Sequence, residues 1–164
     1  MTDRTLVWLF PVVFLIHNGE ELWTFQRFLQ SGPPTLPFFP SFQLKTSEFA
    51  AAALVVLATI VVICQAAARE GAGDPQLRLY LFAAGVLAGN GIGHVLEAVL
   101  LRRYAPGVVT SVLATLPYSA YVFRRAVRAG WLEPRRVAMF IVAGFIGQAP
   151  LAAVALMIGK ALVP

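Results

Sequence analysis

His17, Glu20 and Glu21 stand in "FLIHNGEELW", residues 14 to 23, inside the first long apolar run of the chain. On a helix the offsets i, i+3 and i+4 bring all three onto one face. A second cluster lies in "GNGIGHVLEAV", residues 89 to 99, where Asn90, His94 and Glu97 also share a face. The pair His-x-x-Glu thus occurs on two separate apolar runs. Ionisable groups in hydrocarbon are costly and mark function, facing a bundle interior. We read the two faces as halves of one buried site.

The chemistry open to such a site is narrow. Two adjacent carboxylates in low dielectric repel, so one is protonated or a cation is bound between them. A histidine one turn away supplies proton exchange or a metal-ligating nitrogen. His17, Glu20, His94, Glu97 and Glu48 are the candidate ligands for a divalent metal (iron, zinc or manganese). Glu21 is the candidate acid/base, with Glu20 and Glu97 beside it. The plainer readings are that the first cluster pairs internally and with Arg27, and that Asn90, His94 and Glu97 are interhelical hydrogen-bond glue. Glu48 follows Ser47 at the start of a run, an ordinary helix-start pattern. As a bridge it would complete two histidines and four glutamates, an inventory comparable to four-helix di-metal proteins.

These residues must be held by membrane-type helices. Of 164 residues 59% are hydrophobic and 13% charged, with a mean hydropathy of +0.74. Soluble domains run nearer 25% charged, so the composition predicts one all-α integral membrane domain. Five apolar runs are long enough to cross a bilayer: about Thr5–Phe28, Ser47–Ala68, Leu77–Leu101, Pro106–Phe123 and Val137–Leu162. The fourth is the most polar, and a re-entrant hairpin there would leave four spans. The 13 Lys+Arg against 8 Asp+Glu sit mostly in the gaps between runs. That is a topological pattern, with no basic stripe suited to nucleic acid. Eight basic residues on the Arg4 side against five on the other put the N-terminus in the cytoplasm and the C-terminus outside. Cys64 is the sole cysteine, which excludes an intramolecular disulfide and a CxxC zinc site. The first run lacks a small-residue cleavage site and is expected to stay.

Two connections differ. "REGAGDPQ", residues 69 to 76, reads as a short polar turn, whereas "SGPPTLPFFPSFQLK", residues 31 to 45, reads as an irregular segment at the outer surface, a lid or a stiff connector. Arg102, Arg103 and Tyr104 follow the second cluster and suit a phosphate or carboxylate head group, or plain interfacial snorkelling. Aligning His17 with His94 also aligns Glu20 with Glu97, a weak echo of a parallel repeat. At 1.5 Å per residue, however, His17 lies about 18 Å along its span and His94 about 25 Å along its own, so that Asn90 matches Glu20 better.

The "HNGEE" of residues 17 to 21, with the later "NGIGH" and the "RYAPG" turn, resembles the HXXEE-motif family of small multi-pass membrane proteins. The resemblance implies His17, Glu20 and Glu21 as signature residues and carries no established activity. A fainter likeness, without a residue-by-residue motif, is to five-helix sterol-isomerase-type proteins, which use buried His and Glu for proton transfer.

The functional expectation is an enzyme acting on a lipid-like or small hydrophobic substrate within the membrane lipid, through a metal or by acid/base chemistry. A proton- or cation-coupled transporter and a non-catalytic lipid-binding or assembly subunit are the alternatives. The apparent shortage of polar partners in the cytoplasmic half argues for a site open to one side. Oligomeric state is left open.

Overall fold

A computed structural model describes residues 4–30, 45–69 and 75–163. The proline-rich segment at 31–44 and most of the 69–76 turn, at 70–74, lie outside the described residues. Among the described residues five helices make an all-α bundle: α1 Arg4–Gln30, α2 Thr46–Ala67, α3 Pro75–Leu101, a composite α4 and α5 Pro134–Leu162. The fourth consists of Val108–Thr110, a π turn over Ser111–Thr115, and Leu116–Arg128. Each apolar run corresponds to one helix, with ends that differ by up to five residues.

Local chemistry sets the ends. Glu48 accepts the backbone N–H of Lys45 at 3.2 Å in a capping-box arrangement, which starts α2. At the end of α4 the Trp131 N–H reaches Ala126 O at 2.9 Å and the Gly130 N–H reaches Val127 O at 3.1 Å. Gly130 supplies the left-handed φ of 71° that this termination needs. Pro134 then opens α5 at a position where a missing N–H costs nothing.

Contacts between helices give their directions. Leu6 meets Tyr118 and Glu20 meets Thr110, so α1 and α4 run antiparallel. Gly159 of α5 lies against Glu48 and Ala52 of α2, joining the end of one to the start of the other. The α3–α5 pair is parallel and the closest packed. A Cβ on Gly85 would fall 2.7 Å from Phe140 O, and one on Gly144 would fall 2.5 Å from Gly85 O. Gly89 faces the Gly144–Phe145 backbone in the same way. Gly85 and Gly89 are four apart on one face, so two helix backbones touch along a seam with no side chains between them.

Polarity is turned inside out. His17, Asn18, Glu48, Ser111, Thr115 and Ser119 are buried, while Trp23, Leu100, Leu113, Ile146 and Met157 stand exposed. An exterior of this kind fits a lipid solvent. Among the described residues three helices, α2, α3 and α5, are long and apolar enough to cross a membrane. Their 22 to 29 residues correspond to about 33–44 Å, against a hydrocarbon core of about 30 Å. α1 is as long, at 27 residues, but its own His17, Asn18, Glu20 and Glu21 lower its hydropathy.

The seam makes a clear prediction. Gly144→Ala drives a methyl into the α3 backbone and should destabilise the solubilised protein by about 2–3 kcal/mol. Gly147→Ala meets nothing within 4 Å and should be neutral or stabilising by up to about 1 kcal/mol. Unfolding midpoints of the two variants in detergent would check the contrast.

Candidate functional site

α1 and α3 bring the two clusters together in a fixed register. His17 Nε2 lies 2.8 Å from Asn90 Oδ1, and Glu21 Oε1 lies 3.0 Å from His94 Nε2. Both pairs have the same sequence offset, so α1 and α3 run parallel and are matched turn for turn. The His17 and His94 rings meet edge to face with centroids 4.9 Å apart. The expected convergence of the two clusters is present. The His-x-x-Glu echo is not its basis, since the two histidines are one turn out of step, and Asn90 stands level with His17 and not with Glu20, the match expected from the depths along the spans.

Among the described residues, His17, Glu21 and His94 form a group whose candidate ligand atoms all lie within 4.8 Å of one another. His17 is 1% exposed, and the side chains of Glu21 and His94 are each 14% exposed. His17 Nε2 is also 4.0 Å from Glu21 Oε2. Among the described residues His94 Nδ1 has no hydrogen-bond partner. His94 Nε2, though close to Glu21, is not aligned along a hydrogen bond with it.

Glu20 does something else. Its Oε1 accepts from Tyr104 Oη at 2.5 Å and from the Val109 N–H at 3.2 Å. Its Oε2 accepts from the Thr110 N–H at 2.7 Å and from Thr110 Oγ1 at 2.6 Å. α4 begins at Gly107, which has no side chain to cap its free N–H groups, and a carboxylate from α1 caps them instead. Glu20 therefore leaves the candidate ligand set, and Glu21 takes the place expected for it. One residue step turns a helical side chain by about 100°, enough to aim neighbouring carboxylates at different elements.

The cap also orients His17. Thr110 Oγ1 has one hydrogen, directed at Glu20, so it accepts from His17 Nδ1–H at 2.9 Å. That leaves Nε2 facing Asn90 and Glu21. A ring fixed through one nitrogen with the other turned inward is the arrangement that supports a ligating histidine. An inward Nε2 either carries a proton to Asn90 Oδ1 or presents its lone pair to the centre.

Gly107 roofs the group. At φ 80° its Cβ position would lie 2.8 Å from His17 Cε1, 3.1 Å from Glu21 Cγ and 3.3 Å from His94 Cε1. No side chain fits there, and the left-handed φ itself favours glycine. Sequence reasoning gave Gly107 and Thr110 no role at the site; the turn "RYAPG" was its nearest signal.

The other expected residues sit around the centre. Glu97, one turn beyond His94, interacts electrostatically with His94, Glu21 and Arg103 but is not in the ligand group. Glu48 is occupied at the α2 start, as its position after Ser47 allowed. Arg103 stacks over the Phe28 ring at 4.5 Å. Arg102 is exposed and takes the left-handed C-terminal position of α3 at φ 51°, costing about 1 kcal/mol relative to glycine. Tyr104 lies in the connection after α3, where burial and then the Glu20 carboxylate raise its phenol above the ordinary value. It therefore stays protonated and donating.

Taken together, fold and site define a helical bundle with a largely apolar exterior and a buried centre of two imidazoles and one carboxylate. The chain belongs to the HXXEE family: the family described as "Protein of unknown function with HXXEE motif" matches residues 8–122. No curated protein and no solved structure matches the chain. His17, Glu20 and Glu21 are the His, first Glu and second Glu of the motif, and the structure divides them between a centre and a cap.

Two substitutions probe that division. Glu20→Gln turns an amide against at least one backbone donor and should cost about 2–3 kcal/mol. Gly107→Ala should cost about 1–2 kcal/mol from its positive φ, before any clash with His17. Both should speed hydrogen exchange at residues 103–111, measured by mass spectrometry, while Gly147→Ala leaves that segment unchanged.

Proposed function

We propose that the chain is a five-pass membrane enzyme whose His17, Glu21 and His94 hold one divalent cation and act on a lipid-like substrate. The observation that carries this reading is the convergence of two imidazoles and one carboxylate within 4.8 Å. Two histidines and a carboxylate are the ligand set of catalytic zinc sites and of non-haem iron sites, where three protein ligands leave positions open for water or substrate. Soft thiolate ligation plays no part, since Cys64 lies elsewhere in the core. Asn90 Oδ1, beside His17 Nε2, offers one further oxygen.

The ligand roles follow from the surroundings. Glu21 contributes the negative charge that a cation needs in low dielectric. His17 is held by Thr110 and, through it, by Glu20. Among the described residues His94 meets Glu21 at Nε2 and has no hydrogen-bond partner at Nδ1, so it is the ligand most free to exchange between metal and proton. When bound, the cation would polarise a substrate oxygen or activate water. The exposed apolar surface around the bundle lets a substrate arrive from the lipid. Alternating helix directions support five passes, and the eight-to-five distribution of basic residues places the N-terminus in the cytoplasm.

Elemental analysis of the purified protein tests the centre. The expected outcome is about one equivalent of a divalent metal, falling at least about tenfold in His94→Ala and Glu21→Ala. Sub-stoichiometric metal that neither variant changes would reject the metal reading in favour of a proton-sharing network. Lipid extracts incubated with wild type and His94→Ala and compared by mass spectrometry would then reveal the substrate class as species converted only by the wild type.

A further inference from the structure

Residues 124–136, which join α4 to α5, carry five arginines and one acid, and all of them are described. The acid, Glu133, is engaged locally, 3.9 Å from Arg136. Arg124 and Arg128 are placed differently. They stand four residues apart in the last turns of α4, both exposed, and so share one face. Among the described residues no ion pair or hydrogen bond engages either guanidinium.

Beside these two charges lies an apolar wall. Phe123, Val127, Pro134 and Val137 line, with Arg124 and Arg128, an open groove of about 400 Å³ in the corner between α4 and α5. Phe123 belongs to the hydrophobic core and Val137 packs against it, so the floor of the groove is held by the bundle itself.

Helix directions give its level. α1, α3 and α5 start at the same end of the bundle, and α4, antiparallel to α1, finishes there. Arg4 and Arg78 stand at that end as well. Arg128 is the last residue of α4, and Arg124 lies about 6 Å inside it. Tyr121, one turn earlier and exposed, is an aromatic of the kind found at membrane interfaces. The groove thus sits at the depth of lipid head groups, with its apolar wall continuing toward the hydrocarbon.

Bases at a helix C-terminus suit its dipole, and bases between spans suit topology. Neither role calls for a hydrocarbon-lined groove beside the charges. A soluble phosphate would use only the guanidinium forks, whose paired N–H groups match its oxygens. An apolar peptide would use only the wall. A phosphate head joined to hydrocarbon chains uses both, and the surrounding bilayer supplies it.

We propose that Arg124 and Arg128, with the wall of Phe123, Val127, Pro134 and Val137, form a binding site for an anionic phospholipid of the leaflet at the Arg4 end. The lipid phosphate lies between the two guanidinium groups, and an acyl chain lies along the groove. A zwitterionic lipid offsets its phosphate with its own ammonium, so the site prefers a head of net negative charge. The site rests on the placement of the bundle in a membrane and not on the cation at His17, Glu21 and His94.

The test uses the full chain, delipidated in detergent and titrated with dioleoylphosphatidylglycerol or dioleoylphosphatidylcholine, with bound lipid counted by native mass spectrometry. The first equivalent of phosphatidylglycerol should bind at least about tenfold more tightly than phosphatidylcholine. Arg124→Gln/Arg128→Gln should weaken phosphatidylglycerol binding by at least about tenfold, through loss of two cations beside the phosphate. Arg78→Gln/Arg135→Gln removes the same charge from the same end, outside the groove, and should change it by less than about threefold. Glycerol 3-phosphate, a head without chains, should compete at least about a hundredfold less well than the lipid. Equal binding of the two lipids by the wild type overturns the proposal. So does an equal loss in the two double variants, which would reduce the effect to the general field of the arginines. Competition by glycerol 3-phosphate as strong as by the lipid would make this a phosphate site and overturn the lipid assignment. The first and last comparisons need only the wild type, so they decide the matter even if a variant fails to fold. Metal content in the same samples reads the centre separately: full metal without lipid preference removes the lipid site alone, and lipid preference without metal removes the centre alone.

Discussion

The Glu20 carboxylate is the interaction on which the remainder of the site depends. It gathers Tyr104, Val109 and Thr110 onto α1, and so sets where α4 begins. With that start fixed, Gly107 comes to rest over the histidines and Thr110 comes to rest against His17 Nδ1. A helix start that opens on glycine needs an acceptor from elsewhere, and α1 provides one in ionised form. The motif's adjacent glutamates thus divide the work: the first ties down the lid of the centre, and the second faces into it.

Much of this was legible in the chain. The apolar runs locate all five helices, because helix length and hydropathy are local properties. The two polar clusters were recognisable as partners, since neither can face lipid at acceptable cost. What the sequence could not show was which carboxylate turned which way. Glu20 and Glu21 have identical chemistry, and their assignment depends on the path of residues 102–110, which is a tertiary fact. The glycines of α3 admit α5 at Gly85, Gly89 and Gly93 and α4 at Gly91, a choice of partner that only the tertiary structure decides. Glu48 shows the converse: its local signal, an acid in the first turn, described its position correctly.

The hydroxyls of α4 were visible as a polar composition and were taken as a weakness in the fourth span. Their spacing carries more than their number. Four-residue intervals place Ser111, Thr115 and Ser119 on the buried face. A span that looks marginal by hydropathy can be one whose polar groups are all turned inward.

The backbone-to-backbone seam between α3 and α5 has a mechanical consequence. With Gly85 and Gly89 lodged against Phe140, Gly144 and Phe145, these helices cannot slide or rotate past one another without collision, so together they act as a stator. Asn90 and His94 are mounted on it. The opposite wall, α1 with the start of α4, is joined to that stator at the centre through side-chain contacts and not through a locked backbone. α1 and the start of α4, coupled through Glu20, therefore form the half of the centre that lies off the α3–α5 seam.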